Sequence, residues 1–227
     1  MRFVFTLEQR DFFRKNHFIE FEGMLSSKQA ALIDKEAQEL LSGRLRTPFS
    51  QWDTLPPLAL YKAGFDLWRE ALAIRKATQK LPIVHIASEL FDTAPLRIAF
   101  DQFCLTSSPH PPFQKSFSLT EISSIKPLAG GILFLLEDLS DDVLQKTAFP
   151  LPKKAGNALF LSADFPIPWP MLFAIPGLHV LFVAFAPEKS FYRQEPNDPH
   201  SPLFKKQGYV FNDQLKEELH PLLYGKK

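Results

Sequence analysis

The hydrophobic spacing of this chain changes at Pro95, and that change restricts the folds open to it. Up to Phe91 the apolar residues recur at helical intervals. Residues 7–16 (LEQRDFFRKN) read as a short helix with Phe12 and Phe13 inward, and 18–22 (FIEFE) as a short strand broken by Gly23. Ser26-Ser27-Lys28-Gln29 has the form of a capping box, in which a hydroxyl takes the amide three residues on and Gln29 reaches back. The helix it opens carries Ile33, Ala37, Leu40 and Leu41 on one face and ends at Gly43. Residues 44–64, with three prolines, read as irregular, and two further helices are expected over 65–79 and 82–91.

Beyond Pro95 the period becomes two. Leu96–Thr106 alternates, with Leu96, Ile98 and Phe100 assigned to one side of the pleat. Further strands are expected at 115–125, 132–136, 158–161, 171–174 and 179–186, with the SPHPP segment at 108–112 as a loop and a short helix at 214–219. Helices first and strands after imply an α+β chain with an antiparallel sheet. Many short strands between Pro-rich turns imply a sandwich or jelly roll. The chain reads as one domain over 1–227: a mainly helical part (1–94), jelly-roll strands (95–187) and a C-terminal extension (188–227) that either packs on the barrel or docks a partner.

Charge and composition exclude several classes of function. Lys and Arg number 26 against 25 Asp and Glu, so no bulk field draws the chain to nucleic acid or anionic lipid. The lysine pairs at 153–154, 205–206 and 226–227 are too scattered for a nucleic-acid stripe. No segment approaches the roughly 18 uninterrupted apolar residues of a membrane helix. A single cysteine, Cys104, excludes a disulfide framework and a thiolate zinc site, and it reads as a small core residue. The expectation is a soluble cytoplasmic protein without nucleic-acid or membrane partners. Phosphate-cradling glycine motifs, HExxH, CxxC and GxSxG are all absent.

Read in order, the segments carry a resemblance. RDFFRKNHFIEFEGMLSSKQAALIDKEAQELL resembles the opening of the phytanoyl-CoA dioxygenase family, within the Fe(II)/2-oxoglutarate oxygenase superfamily. LRIAFDQFCL is similar to that family's Arg-apolar-x-Asp-Gln strand, and ILFLLEDL to its strand with an acidic end. AGNALFLSADFPIPW and HVLFVAFAPEKSFY resemble the last segments of its barrel, so that the resemblance spans 8–192. It implies a double-stranded β-helix, a cupin-like jelly roll with N-terminal helices packed on one sheet, holding Fe(II) and 2-oxoglutarate.

Such iron needs two imidazoles and a carboxylate, the first pair as His-x-Asp/Glu because alternate residues share a strand face. The residues two beyond the six histidines are Ile19, Ala87, Pro112, Leu181, Pro202 and Leu222, so none passes. The matching positions hold Ser116 and Ser118 for the first pair, Pro166–Ile167 for the distal imidazole, and His179 where the family has the co-substrate's arginine. The expectation is therefore a diverged member with no metal ligands and no cofactor, acting as a binding or interaction protein toward an unknown protein or small molecule. The alternative left open is an oxygenase using Fe(II) and 2-oxoglutarate through rearranged ligands, or another barrel enzyme. Candidate catalytic residues for it are Glu121, Asp164 and His179, the last read as lying inside the barrel mouth. Candidate cofactor-binding residues are Gln102, Ser116 and Ser118, although Asp101-Gln102 also reads as a structural pair.

Overall fold

The computed structural model describes residues 5–106, 111–145 and 147–223, so His110 and the last lysine pair lie outside the described residues. Helix α1 (Leu7–Asn16) starts on Thr6 in a reciprocal bond pair with Gln9, and strand β1 (Phe18–Phe21) follows. Helix α2 (Ser27–Leu45) opens on the Ser26–Gln29 capping box read from the sequence. It passes through Gly43 to Leu45, because the Arg44 guanidinium in its last turn donates to the carbonyls of Ala63 and Phe65 at 2.7 and 2.6 Å.

The helix expected over 65–79 is interrupted. A 3-10 turn at Leu67–Arg69 and a helix, α4 (Leu72–Thr78), stand there; the segment read as irregular holds a 3-10 turn at Phe49–Thr54 and helix α3 (Pro57–Ala63), and α5 (Leu81–Leu90) falls where the helix over 82–91 is expected. The interruption has a tertiary cause. Asp66 sits at φ 55°, and the next two backbone N–H groups, of Leu67 and Trp68, donate to the Asp101 carboxylate at 3.1 and 2.9 Å. A carboxylate on the sheet thus starts a new turn where sequence periodicity carries the helix on.

The remaining elements are β2 (Leu96–Leu105), β3 (Ile125–Lys126), β4 (Gly130–Leu135), α6 (Asp141–Gln145), β5 (Ala158–Ser162), α7 (Trp169–Phe173), β6 (His179–Pro187), β7 (Phe191–Tyr192), α8 (Ser201–Lys206) and β8 (Leu222–Leu223). Six strands form one antiparallel sheet in the order β1-β5-β4-β6-β2-β8, and β3 pairs with β7 in a second, small sheet. Every residue of β2 and β4 is buried, because both faces of the main sheet are covered. Ile132, Phe134, Phe160, Leu181, Val183 and Phe185 face the helical layer, with Ile33 and Ala37 of α2. Leu133, Leu159, Val180, Phe182 and Ala184 face the other way, toward Phe117, Trp169 and Tyr192. Among the described residues no helix is long and apolar enough to cross a membrane.

Four further expectations need correction. Phe100 does not share a face with Leu96 and Ile98, because a bulge between Ile98 and Phe100 inserts one residue and reverses the parity of β2. Residues 171–174 are helical, not extended: Pro170 lies in the first turn of α7, where its missing N–H costs nothing. Residues 115–125 contain no strand before Ile125, only a single bridge between Phe117 and Ile167. Near the C-terminus the helix is α8, and 214–219 holds a bridge at Gln214 and a turn.

Gly130 and Gly131 are required by close packing rather than by a turn. A β-carbon at Gly130 would stand 2.4 Å from the Phe91 ring, and one at Gly131 would stand 2.4 Å from Leu119 Cδ1. The missing side chains let α5 and the 117–120 segment close onto opposite faces of β4.

Candidate functional site

The inner face of the main sheet is roofed by two short segments that run antiparallel. Phe117 and Ile167 exchange backbone hydrogen bonds at 3.2 and 3.1 Å, and Thr120 N–H donates to Ala163 at 3.1 Å. The space between this roof and β6 is aromatic. The Phe113 ring lies 5.6 Å from Phe117 and 5.4 Å from Trp169, and Trp169 lies 5.3 Å from Phe182 of β6. Tyr61 closes the group edge-on, 5.1 Å from Phe113 and 5.9 Å from Trp169. The indole N–H of Trp169 donates to the Phe117 carbonyl at 3.1 Å, which fixes the ring under the roof. A cavity beside Tyr61, Cys104 and Phe173 has only about 10 Å³, the space of a single water at most.

The sequence-derived candidates do not converge in this interior. Ser116 and Asp164 are exposed. Ser118 is buried, and its N–H and hydroxyl both donate to one Glu121 oxygen, at 2.8 and 3.0 Å. Those bonds, the backbone one first, hold the exposed Glu121 carboxyl below its ordinary range, so it stays an anion. Gln102 is buried and fully engaged. Its amide donates to the carbonyls of Tyr61 and Phe103 at 2.8 and 2.9 Å, leaving its oxygen to accept Nε2–H of His200 at 3.1 Å. The His200 ring stacks on Phe65 at 3.8 Å.

His179 is the largest correction. Val180, Phe182 and Ala184 of β6 face the Trp169 side of the main sheet, so the alternate residue His179 lies on the other side, toward α2. Its Nδ1 lies 2.8 Å from Asp34 Oδ1 and 3.8 Å from Glu137 Oε1. The sequence reading missed both partners. Asp34 has a legible signal, since it sits next to Ile33 on the buried stripe Ala30, Ile33, Ala37 and Leu41 of α2. Glu137 has none: it lies in an acidic connection, and only the β4–β6 pairing brings it to His179.

His200 and His220 are buried and neutral. Burial pushes His200 down to about 3, helped by Lys62, and pushes His220, whose Nδ1–H donates to the Ala99 carbonyl, to about 4. An unfolded histidine titrates near 6.5, so below that pH the unfolded chain binds protons that the folded chain refuses. Unfolding free energy therefore gains from these two groups as pH rises from about 4 to 6.5, by up to about 1.4 kcal/mol per pH unit for each. Asp101 acts in the opposite sense. Burial, with Asp66 beside it, raises its carboxyl to about 8, so its contribution is full below about 4 and is lost as pH rises toward 8. Comparing the chain with His200→Gln cancels the Asp101 contribution. Urea unfolding across this window is expected to show a shallower rise in the variant, and an unchanged slope would contradict a neutral buried His200.

No protein-family profile and no curated protein sequence matches the chain. Solved structures do. The non-heme alpha ketoglutarate dependent carbocyclase SnoK from nogalamycin biosynthesis superposes with a TM-score of 0.67 at 14% identity, over 97% of each chain. The epimerase SnoN from the same biosynthesis, also non-heme and alpha ketoglutarate dependent, gives 0.66 at 15% identity, over 96% of this chain and 98% of that one. CT296 from Chlamydia trachomatis gives 0.51 at 17% identity, over 82% of this chain and 98% of that one. At these identities the likeness is one of fold: a mixed helix and antiparallel-sheet architecture shared with Fe(II)/2-oxoglutarate oxygenases.

Proposed function

We propose that this chain is a non-catalytic relative of the Fe(II)/2-oxoglutarate oxygenases, a double-stranded β-helix whose interior is filled and which acts by binding a protein or small-molecule partner. The observation that carries this reading is the packed set Phe113, Phe117, Trp169 and Phe182 between the Phe117–Ile167 bridge and β6. The resemblance assigns the iron ligands to the two segments joined by that bridge. Ser116, Ser118 and Pro166–Ile167 stand there. One exposed hydroxyl, one hydroxyl committed to Glu121 and an aliphatic side chain do not make the imidazole and carboxylate face that Fe(II) requires. These residues do not fit the metal, and no reaction step is routed through it. The position matched to the co-substrate's arginine is His179, which turns to the helical layer, away from the interior.

The second reading, an oxygenase with rearranged ligands or another barrel chemistry, draws on the likeness to SnoK and SnoN. Incubation of the full chain with Fe(II), ascorbate, oxygen and 2-oxoglutarate separates the two. The expected result is succinate formation no faster than in the protein-free control. Stoichiometric turnover of 2-oxoglutarate by the purified chain would overturn the non-catalytic reading.

A further inference from the structure

We propose that Asp34, Glu137 and His179 form a site for one divalent transition-metal ion on the helix-covered side of the main sheet. Their ligand atoms, one from each residue, all lie within 4.8 Å of one another. They come from three separate elements: α2, the connection that leaves β4, and the first residue of β6. Pairing of Leu135 with Val180, together with the Leu136 N–H to His179 carbonyl bond of 2.9 Å, fixes the last two side by side. Asp34 is held from behind, because Gln38 Nε2 donates to its Oδ2 at 2.6 Å and leaves Oδ1 turned to the imidazole.

The charge balance points to a cation. Two carboxylates face one imidazole nitrogen, His179 Nδ1, at 2.8 and 3.8 Å. A metal ion among them would satisfy all three groups, with nitrogen and oxygen donors of the kind zinc takes at about 2.0–2.2 Å. Such bonds set ligand-to-ligand separations near 3.4 Å in a tetrahedral site. The Asp34–His179 pair, now hydrogen-bonded at 2.8 Å, would open by about 0.6 Å to admit the ion, and Glu137, at 3.8 Å with its side chain 54% exposed, would close by a few tenths of an ångström. A fourth position would belong to water. Of the three, Glu137 is exposed, and Asp34 also borders a solvent-open groove of about 530 Å³ along α2 with Gln38, Ser42 and Phe49. Because the ligands join α2 to β4 and β6, the ion would act as a cross-link between the helical layer and the sheet. This site is separate from the filled interior on which the functional reading rests.

The test is calorimetric titration of the full chain with ZnCl2, paired with thermal melts. The expected result is saturable binding of one ion per chain. Glu137→Gln, at an exposed position that leaves folding intact, is expected to weaken it about tenfold or more, and Asp34→Asn by more than that. Gln38→Leu, which frees the Asp34 carboxylate, is expected to cost about 10- to 100-fold. Zinc at a hundredfold excess over the dissociation constant is expected to raise the melting temperature by about 5–10 °C, and chelation to reverse it. Absence of one-equivalent binding would overturn the proposal. So would an affinity unchanged from the parent's in both Glu137→Gln and Asp34→Asn, which would place the ion elsewhere on the chain. The readout is metal binding rather than 2-oxoglutarate turnover, so failure here leaves the non-catalytic reading untouched, and the reverse also holds.

Discussion

A chain ending at Pro187 is expected to aggregate and to show no cooperative melt. The segment it would lose is part of the fold. Leu222 and Leu223 of β8 cover the edge of β2 at Arg97 and Leu96, and Ile125 of β3 pairs with Tyr192 of β7. Tyr192, Phe204, Tyr209 and Leu215 are each at most 5% exposed. Burying four such side chains contributes about 6–12 kcal/mol at 1.5–3 kcal/mol each. Whole domains are stable by only about 5–15 kcal/mol, so the loss is of the same size as the total. Polar consequences add to it. The Arg97 guanidinium, 8% exposed as a residue, donates to the carbonyls of Glu188 and His220, both at 2.8 Å, and to the Glu217 carboxylate at 2.5 Å. Truncation removes all three acceptors and strips Arg97 of its side-chain hydrogen bonds. It also uncovers one end of β2, and an exposed strand edge is a template for association. Size-exclusion chromatography and circular dichroism of residues 1–187 check this. A monomeric product with a sharp thermal transition would show that 188–227 is an appendage, free to serve a partner.

Trp169→Ala is expected to cost about 3–5 kcal/mol, the range for deleting a buried tryptophan. The ring is 1% exposed and contacts Tyr61, Phe113, Phe173 and Phe182. For a chain of this length that loss lowers the melting temperature by about 6–20 °C. The Phe117 carbonyl does not add a large polar penalty, since Ile167 N–H still donates to it at 3.1 Å. No affinity for 2-oxoglutarate is expected to appear in the void, because its walls are aromatic and aliphatic. Val210→Ala, at a residue 65% exposed, provides the control and should stay within about 0.5 kcal/mol of the parent. Near-equal stability of Trp169→Ala and its parent would mean that the interior is not tightly filled, and would remove the main support for a non-catalytic barrel.

Much of the architecture is legible in local patterns. The Ser26–Gln29 box starts α2 because both of its bonds span three residues, and sequence alone decides them. The runs ILFLL and HVLFVAFA fall in β4 and β6 because a strand covered on both faces leaves no polar position. The change of period at Pro95 likewise marks where the longer helices end and β2 begins, although β1, from the helical part, joins the same sheet. The bulge after Ile98 is not legible, since it depends on how β6 pairs with β2, and it turns Phe100 to the opposite layer.

The candidate site divides along the same line. The sequence by itself determined that no histidine is followed two residues on by an acid, and which residues (Ser116, Ser118, Pro166 and Ile167) stand where the resemblance would place iron ligands. Those are statements about identity at fixed spacing, and folding cannot alter them. Only the tertiary structure decided which way His179 points and what it meets. Its direction follows from the parity of β6 within a packed sheet, and its partner Asp34 is 145 residues away in the chain. The break before α4 has the same origin, since Asp101 acts there on amides 34 and 33 residues distant. Hydrogen bonds and charges act over a few ångströms of space whatever their separation along the chain. Contacts closed by neighbours could therefore be read from the sequence, and those closed across the fold could not.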